Sequence, residues 1–337
     1  MHTAERRTLA RLPSGTTVET TVHTYGSGEP TVYVQAAQHG HEVNGTEVLR
    51  RVHHELLGRE RGLDGTLVAV PVADPISFDH SSYTTPPAID AKNPNMNRAW
   101  PGDPDGSIHQ QMAARLWADA AAADVVVDLH TGSPGMLTHT VYRRGDDASR
   151  ELALAFGTEV CLAEAAGEDA TEEWADRGFD GKFRVAASAA GIPAITPELA
   201  HNKQLVDAAI ETGVRGVLNV LSHVGVLPGE PDTPARQRTV RNHLGRVTAT
   251  ASGLFRPAPD AALGRAVEAG DHLGCVTDPT SYEEKQRVEA THDGLLYSIT
   301  RNATVSAGQK LVGIALPLDD GTDVDGTDGT GEVKRTD

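Results

Sequence analysis

The sequence predicts an α/β fold built on a mixed, largely parallel sheet covered on both faces by helices, with a small all-β unit following it. Over the first two hundred or so residues, short apolar runs alternate with segments of helical spacing. Those runs are continuous, as in Val125-Val126-Val127, which is the pattern of strands buried on both faces. Beyond a Pro-, Asp- and Arg-rich stretch around 228 to 238, the pattern changes to short strands separated by Gly turns.

Taken in order, Thr31 to Ala37 is a strand candidate ending at the first of a pair of histidines. Thr46 to Leu57 carries Val48, Leu49, Val52, Leu56 and Leu57 at helical spacing. Thr66 to Val72 is a second strand, stopped by Asp74-Pro75. Residues 73 to 108 are rich in Pro, Asn, Asp, Ser and Gly and predict a long functional loop. A helix is expected over His109 to Ala123 and a buried strand over Asp124 to Leu129. Further helices are expected at Ala148 to Phe156 and Phe183 to Ala190, while 165 to 180 is polar and without a clear period. Gly191 to Thr196 reads as a strand leading into Glu198, and a helix over Leu205 to Val224 stops at Gly225, with Pro228 beyond.

This divides the chain into a catalytic-type domain over 1 to 235, a β domain over 236 to 318 and a tail over 319 to 337. The β domain has strand candidates at Val247 to Ala251, Gly253 to Phe255, Leu273 to Val276, Gln286 to Glu289, Gly294 to Ile299 and Lys310 to Ala315. The tail is Asp, Gly and Thr with almost nothing apolar and is expected to be disordered.

Bulk properties narrow the function. A length of 337 residues is comfortable for two domains with a sizeable core. Cys161 and Cys275 lie in unrelated segments, which excludes a disulfide framework. The start, Met1 to Arg7, leads into polar residues, and no stretch has the length to span a bilayer, so a soluble cytoplasmic protein is expected. A net charge of -17 argues against nucleic acid or an anionic membrane as partner. Lysine is rare, and Asp and Glu are spread along the whole chain, as on the surface of a salt-adapted protein. An ordinary acidic protein is the alternative.

Four segments that each follow an apolar run carry the chemistry: Gln38-His39-Gly40-His41-Glu42, Asn97-Arg98, Asp128-Leu129-His130 and Pro197-Glu198. In an open parallel sheet, residues beyond the carboxyl ends of the strands converge on one crevice. His39, Glu42 and His130 supply two imidazoles and a carboxylate, a zinc triad that leaves a position open for water. Glu198 then fits a general base that takes a proton from the attacking water and passes it to a leaving nitrogen. A cation such as Arg98 would steady the oxyanion.

Competing readings apply. His41 is a rival ligand, and His39 is preferred because Gly40 lets the backbone turn and Glu42 follows at three. Asp128 fits support for a neighbouring group better than a ligand role. His139 is near His130 but not at an expected strand end, and His53-His54 is expected to face solvent.

In order, His39-Gly40-His41-Glu42, Asn97-Arg98-Ala99-Trp100-Pro101-Gly102, Asp128-Leu129-His130-Thr131-Gly132 and Gly191-Ile192-Pro193-Ala194-Ile195-Thr196-Pro197-Glu198-Leu199 resemble the succinylglutamate desuccinylase/aspartoacylase family, relatives of the zinc carboxypeptidases, from about residue 30 to 315. The resemblance implies a carboxypeptidase-like α/β/α fold with an added C-terminal β domain. It also implies one zinc ion per chain on His39, Glu42 and His130, with Glu198 as the catalytic glutamate. Asn97 and Arg98 match the pair that holds the substrate carboxylate, a role suited to a guanidinium fork.

This chain departs from the family in having Asn95-Met96-Asn97-Arg98 where an acid is usual. It also has no arginine in Ser81 to Pro87, where Tyr83 stands. Tyr142, Arg143 and Arg144 are candidates for a substitute substrate contact. The β domain around Ala261 to Pro317 also resembles a biotinyl/lipoyl-like barrel-sandwich. Lys285, at a plausible distance before Gly294, lacks the flanking methionines of a biotin site, so a structural role is preferred.

The expectation is a zinc-dependent amidohydrolase that removes an acyl group from a small, carboxylate-bearing N-acyl amino acid or related metabolite. A carboxypeptidase is one alternative, and a non-catalytic metal- or ligand-binding protein is another. A homo-oligomer stays open.

Overall fold

The structure is a computed structural model that describes residues 1–59, 62–132, 135–165 and 179–318, together with the backbone of 324–325; the side chains of 242–245 lie outside that description. Strands β1 (His2–Arg11) and β2 (Thr17–Gly26) form an antiparallel hairpin at one edge of a large sheet. The hairpin joins β4 (Thr66–Val70) antiparallel, and β4, β3 (Thr31–Ala36), β5 (Val125–Leu129) and β8 (Ala194–Glu198) then run parallel to one another. Next come β6 (His139–Arg143), antiparallel to β8, and β7 (Val160–Glu164), parallel to β6. Sequence reading assigned no strand to the hairpin, β6 or β7. β1 is an exposed, charged edge strand, which hides its period, whereas Val18, Thr20 and Val22 of β2 alternate plainly.

The central strands are buried on both faces, as their continuous apolar runs require. Val32, Val34, Leu67, Val127 and Ile195 pack under α1 (Asn44–Leu57), α4 (Asp147–Phe156) and α6 (Asp207–His223). The alternate positions Tyr33, Val70, Val126 and Ala194 pack under α3 (Ile108–Ala120) and α5 (Phe183–Ala189). The loop over 73–108 contains a short helix, α2 (Pro75–Asp79), capped by the Asp74 carboxylate at Ile76 N–H and Ser77 N–H, and a 3-10 turn over Met96–Arg98. A buried cluster ties this loop down: His109 on α3 places Nε2 3.1 Å from Asp74 and Nδ1 3.2 Å from Asp90.

The sheet does not stop where the C-terminal region begins. β9 (Arg236–Thr248) pairs parallel with β7 and antiparallel with β16 (Lys310–Pro317), and β14 (Gly294–Ile299) and β11 (Ala266–Val267) extend the same sheet. Against it stands a four-stranded sheet of β13 (Glu284–Glu289), β12 (His272–Thr277), β10 (Gly253–Pro257) and β15 (Thr304–Val305). Leu273, Val276 and Val288 of one sheet share a core with Leu296, Val312 and Ile314 of the other, which makes a β sandwich. Lys285 lies within β13 and pairs with Glu283, not at the tip of a hairpin.

Most of the expected tail lies outside the described residues. Val324–Asp325 (β17) pairs with Arg236 and Gln237. The polar stretch expected over 165 to 180 is likewise undescribed over 166–178. Among the described residues, no helix is long and apolar enough to cross a membrane.

Candidate active site and metal centre

The carboxyl ends of three adjacent parallel strands meet at one place. Ala36 of β3 pairs with Leu129 of β5, and just beyond β5 a bridge joins His130 to Glu198 at the end of β8. Ala37 leaves β3 at φ 53°, an uncommon left-handed conformation for a residue with a Cβ, and so turns the following segment over the strand ends. Gly40 is required for a reason other than the expected tight turn. A Cβ there would run into the backbone of Ser77 and Phe78 on α2.

His39, Glu42 and His130 can each offer one ligand atom, with all three within 4.8 Å of one another. They are only 2%, 5% and 4% exposed, so their charge must be compensated inside the protein. His39 donates Nδ1–H to the Tyr83 carbonyl at 2.8 Å, which leaves Nε2 as the lone-pair nitrogen. His130 Nε2 lies 2.9 Å from Asp128, and its Nδ1 lies 3.0 Å from Glu42 Oε2, which also accepts Thr131 N–H at 2.9 Å. Asp128 thus stands against the ring nitrogen of His130 that faces away from Glu42, the placement of a buried support for that ring.

Asp128 is itself held by Gln38 at 2.8 Å and Gln35 at 3.1 Å, and Trp100 donates to Gln38 at 2.6 Å. Sequence reading missed these supports. A glutamine in a buried parallel strand, as at Gln35, was the available signal. His41 lines the same cavity but stands outside the ligand group, with Nε2 3.4 Å from Asn202.

The electrostatics suit a cation. Burial pushes the His39 imidazole down to about 4, so it is neutral and able to ligate. Burial opposes charge on His130 and Glu42 as well. There the facing charges win, raising His130 well above its ordinary value through Asp128 and Glu42 and lowering Glu42 beside the imidazoles, so that a bound cation would take the place of the proton on His130. Burial pushes the Glu198 carboxyl up to about 7. The donor set of two imidazoles and one carboxylate fits zinc, with room for further ligands.

The cavity at this centre has a volume of about 430 Å³. Arg98, half-buried, packs 4.7 Å over the Phe179 ring and donates to the Asn97 carbonyl at 2.5 Å. The Asn97 side chain accepts Phe183 N–H at 3.0 Å and lies 3.3 Å from His130 Nε2, so it positions the site as well as lining it. Also lining the cavity, Glu164 forms ion pairs with Arg184 and with Lys182, the latter at 3.2 Å. Tyr297 and Lys310 come from the C-terminal β region, with Lys310 Nζ 3.3 Å from the Tyr297 hydroxyl.

Two expected substrate contacts are corrected. Tyr142 faces the helical core with Leu152 and Phe156, because alternation along β6 turns it away from Val141, which does line the cavity. Arg143 lines a separate depression with Gly191 and Pro193. β6 runs antiparallel to β8, so it leads away from Glu198. For the same reason His139, discounted in the sequence, starts β6 directly opposite Glu198 and lines the cavity; burial holds its imidazole down at about 4. Glu164 was missed although it ends the apolar run Val160 to Ala163, the signature that exposed the other site residues. Lys182, Arg184, Tyr297 and Lys310 carry no motif.

Residues 28–224 match the succinylglutamate desuccinylase/aspartoacylase catalytic domain, which is more than half of the chain. An N-alpha-acetyl-L-2,4-diaminobutyric acid deacetylase from Halomonas elongata is 28% identical over 320 residues, spanning 88% of this chain and 85% of that protein. Two solved structures share the fold. A succinylglutamate desuccinylase/aspartoacylase from Rhodobacter sphaeroides superposes with a TM-score of 0.79 at 24% identity, covering 95% of this chain and 96% of its own. The product-bound ectoine utilization protein EutE (DoeB) from Ruegeria pomeroyi gives 0.80 at 22%, covering 94% and 95%.

Proposed function

The chain belongs to the succinylglutamate desuccinylase/aspartoacylase family of deacylating hydrolases, and from that premise we propose that it is a zinc-dependent amidohydrolase acting on a small N-acyl amino acid. The observation that carries the proposal is the meeting of His39, Glu42 and His130 in the wall of a cavity that Glu198 and Arg98 also line. His39, Glu42 and His130 would hold the metal, which when bound supplies a Lewis acid that makes water a competent nucleophile near neutral pH.

The remaining steps belong to the chain itself. Glu198 takes the proton of the attacking water and returns it to the leaving nitrogen, a task for which a carboxyl near 7 is well matched. Arg98, braced by Phe179 and the Asn97 carbonyl, is the candidate for the substrate carboxylate. Arg184 and Lys182 hold Glu164 within the cavity, and Tyr297 with Lys310 closes it from the C-terminal side. A cavity of about 430 Å³ is of the size that takes a small metabolite. A cytoplasmic location and a substrate of small-metabolite type accompany this reading, with no nucleic acid or membrane partner.

The compound to test first is Nα-acetyl-2,4-diaminobutyrate, the substrate named for the Halomonas relative, beside N-acetyl- and N-succinyl-amino acids and dipeptides. Amine release from an N-acyl amino acid by the zinc-loaded protein, abolished in Glu198→Gln, supports the proposal. Cleavage of dipeptides alone would replace it with a carboxypeptidase reading.

A further inference from the structure

A second cluster of imidazoles lies where α1 packs on the edge hairpin. His2 on β1 sits opposite Tyr25 on β2, and His23, two residues before Tyr25, shares that face of the hairpin. α1 covers the face and contributes His53. His2 Nε2 and His23 Nδ1 are 3.1 Å apart, and each of the three rings can present a nitrogen within 4.8 Å of the others. Zinc–imidazole bonds of about 2.0–2.1 Å in a tetrahedron place the ligand nitrogens about 3.3 Å apart, so the His2–His23 pair is already at ligand spacing.

From this geometry we propose that His2, His23 and His53 form a second divalent metal site, for zinc or a similar imidazole-preferring ion, that clasps the edge hairpin to α1. The Tyr25 hydroxyl lies 2.7 Å from His53 Nδ1 and fixes that ring, the usual support behind a ligating histidine. Burial, and then the neighbouring imidazoles, lowers both His23 and His53, which keeps them neutral and able to ligate. Glu47 of α1, which lines the cavity beside this cluster, is paired with Arg50 and Arg51. A cavity of about 270 Å³ opens beside His23, Tyr25 and His53 and leaves space for a water on the ion. Because α1 begins at Asn44, two residues after Glu42, the ion would brace the segment that carries two of the catalytic-site ligands without entering the cavity.

The test uses the full chain stripped of metal and titrated with Co²⁺ or Zn²⁺, followed by visible absorption for cobalt and by elemental analysis after gel filtration for zinc. The wild type should take up two equivalents. His53→Gln and His2→Gln should each take up one and keep deacylase activity, and Tyr25→Phe should weaken the second equivalent roughly tenfold. His130→Ala should also take up one, retained on the hairpin, and zinc should still raise its melting temperature. Two equivalents in His53→Gln and His2→Gln, or one in the wild type that disappears in His130→Ala, would overturn the second site. Loss of activity with an intact second equivalent would instead strike the catalytic proposal, so the two readings fail separately.

Discussion

Nδ1 of His130 lies 3.0 Å from Oε2 of Glu42 across 88 residues of sequence. Two groups so deeply buried would not be placed together without compensation, because each ionised form loses solvation. On the function proposed above, the pair would supply two of the three ligands of one cation. Behind it, Asp128 fixes the nitrogen that faces away, and Gln38, Gln35 and Trp100 fix Asp128.

That support leads to the first prediction. Asp128→Asn keeps the size of the side chain and removes the charge that orients His130. Zinc affinity at the catalytic centre should fall roughly 10- to 100-fold, measured by competition with a chromophoric chelator. Unchanged affinity would mean that Asp128 serves only the fold.

Arg98 gives the second. Replacing it by Ala removes a charge-assisted contact of about 1.5–3 kcal/mol, or roughly 10- to 150-fold in kcat/KM. The loss should be concentrated on substrates that carry a free carboxylate. Assays of matched free-acid and methyl-ester substrates would reveal this, and an equal loss on both would exclude Arg98 as the carboxylate clamp.

The third concerns pH. Burial raises Glu198 to about 7, and the reaction needs its deprotonated form. Activity should therefore rise with pH through about 7 and level off above it, and the same limb should be missing from any residual activity of Glu198→Gln. A profile that rises toward acid would contradict the base role.

Legibility in the sequence followed the physics of each element. Strands β3 and β5 were readable because burial on both faces writes a nearly continuous apolar run, β8 because Ile192 to Ile195 leads into Pro197-Glu198, and the residues at their ends had to converge. β6 was invisible in the sequence because its direction, reversed relative to β8, is set by tertiary pairing. Tyr142 and Arg143 were consequently placed in the site while His139 was set aside. His53, expected to face solvent, is half-buried against Tyr25, because helix spacing gives a face but not the hairpin that packs on it. Tyr297 and Lys310 reach the cavity from more than a hundred residues past His139, a distance over which periodicity carries no information.

The fourth prediction returns to composition. With a net charge of -17 spread along the chain, we propose a salt-adapted surface, on which screening relieves self-repulsion. The melting temperature should rise by several degrees between dilute buffer and about 2 M KCl, well beyond the Debye screening limit of physiological salt. Equal stability in both would leave an ordinary acidic protein.

The central claim is that one buried His-Glu-His centre and Glu198 together hydrolyse an N-acyl amino acid. It is tested most directly by following amine release from Nα-acetyl-2,4-diaminobutyrate and other N-acyl amino acids by zinc-loaded wild type and Glu198→Gln, with metal content measured on the same samples. We predict turnover by the wild type and a loss of about 10²- to 10⁴-fold in Glu198→Gln at equal zinc content. Equal turnover by the two proteins, or turnover that survives complete removal of metal, would contradict the account.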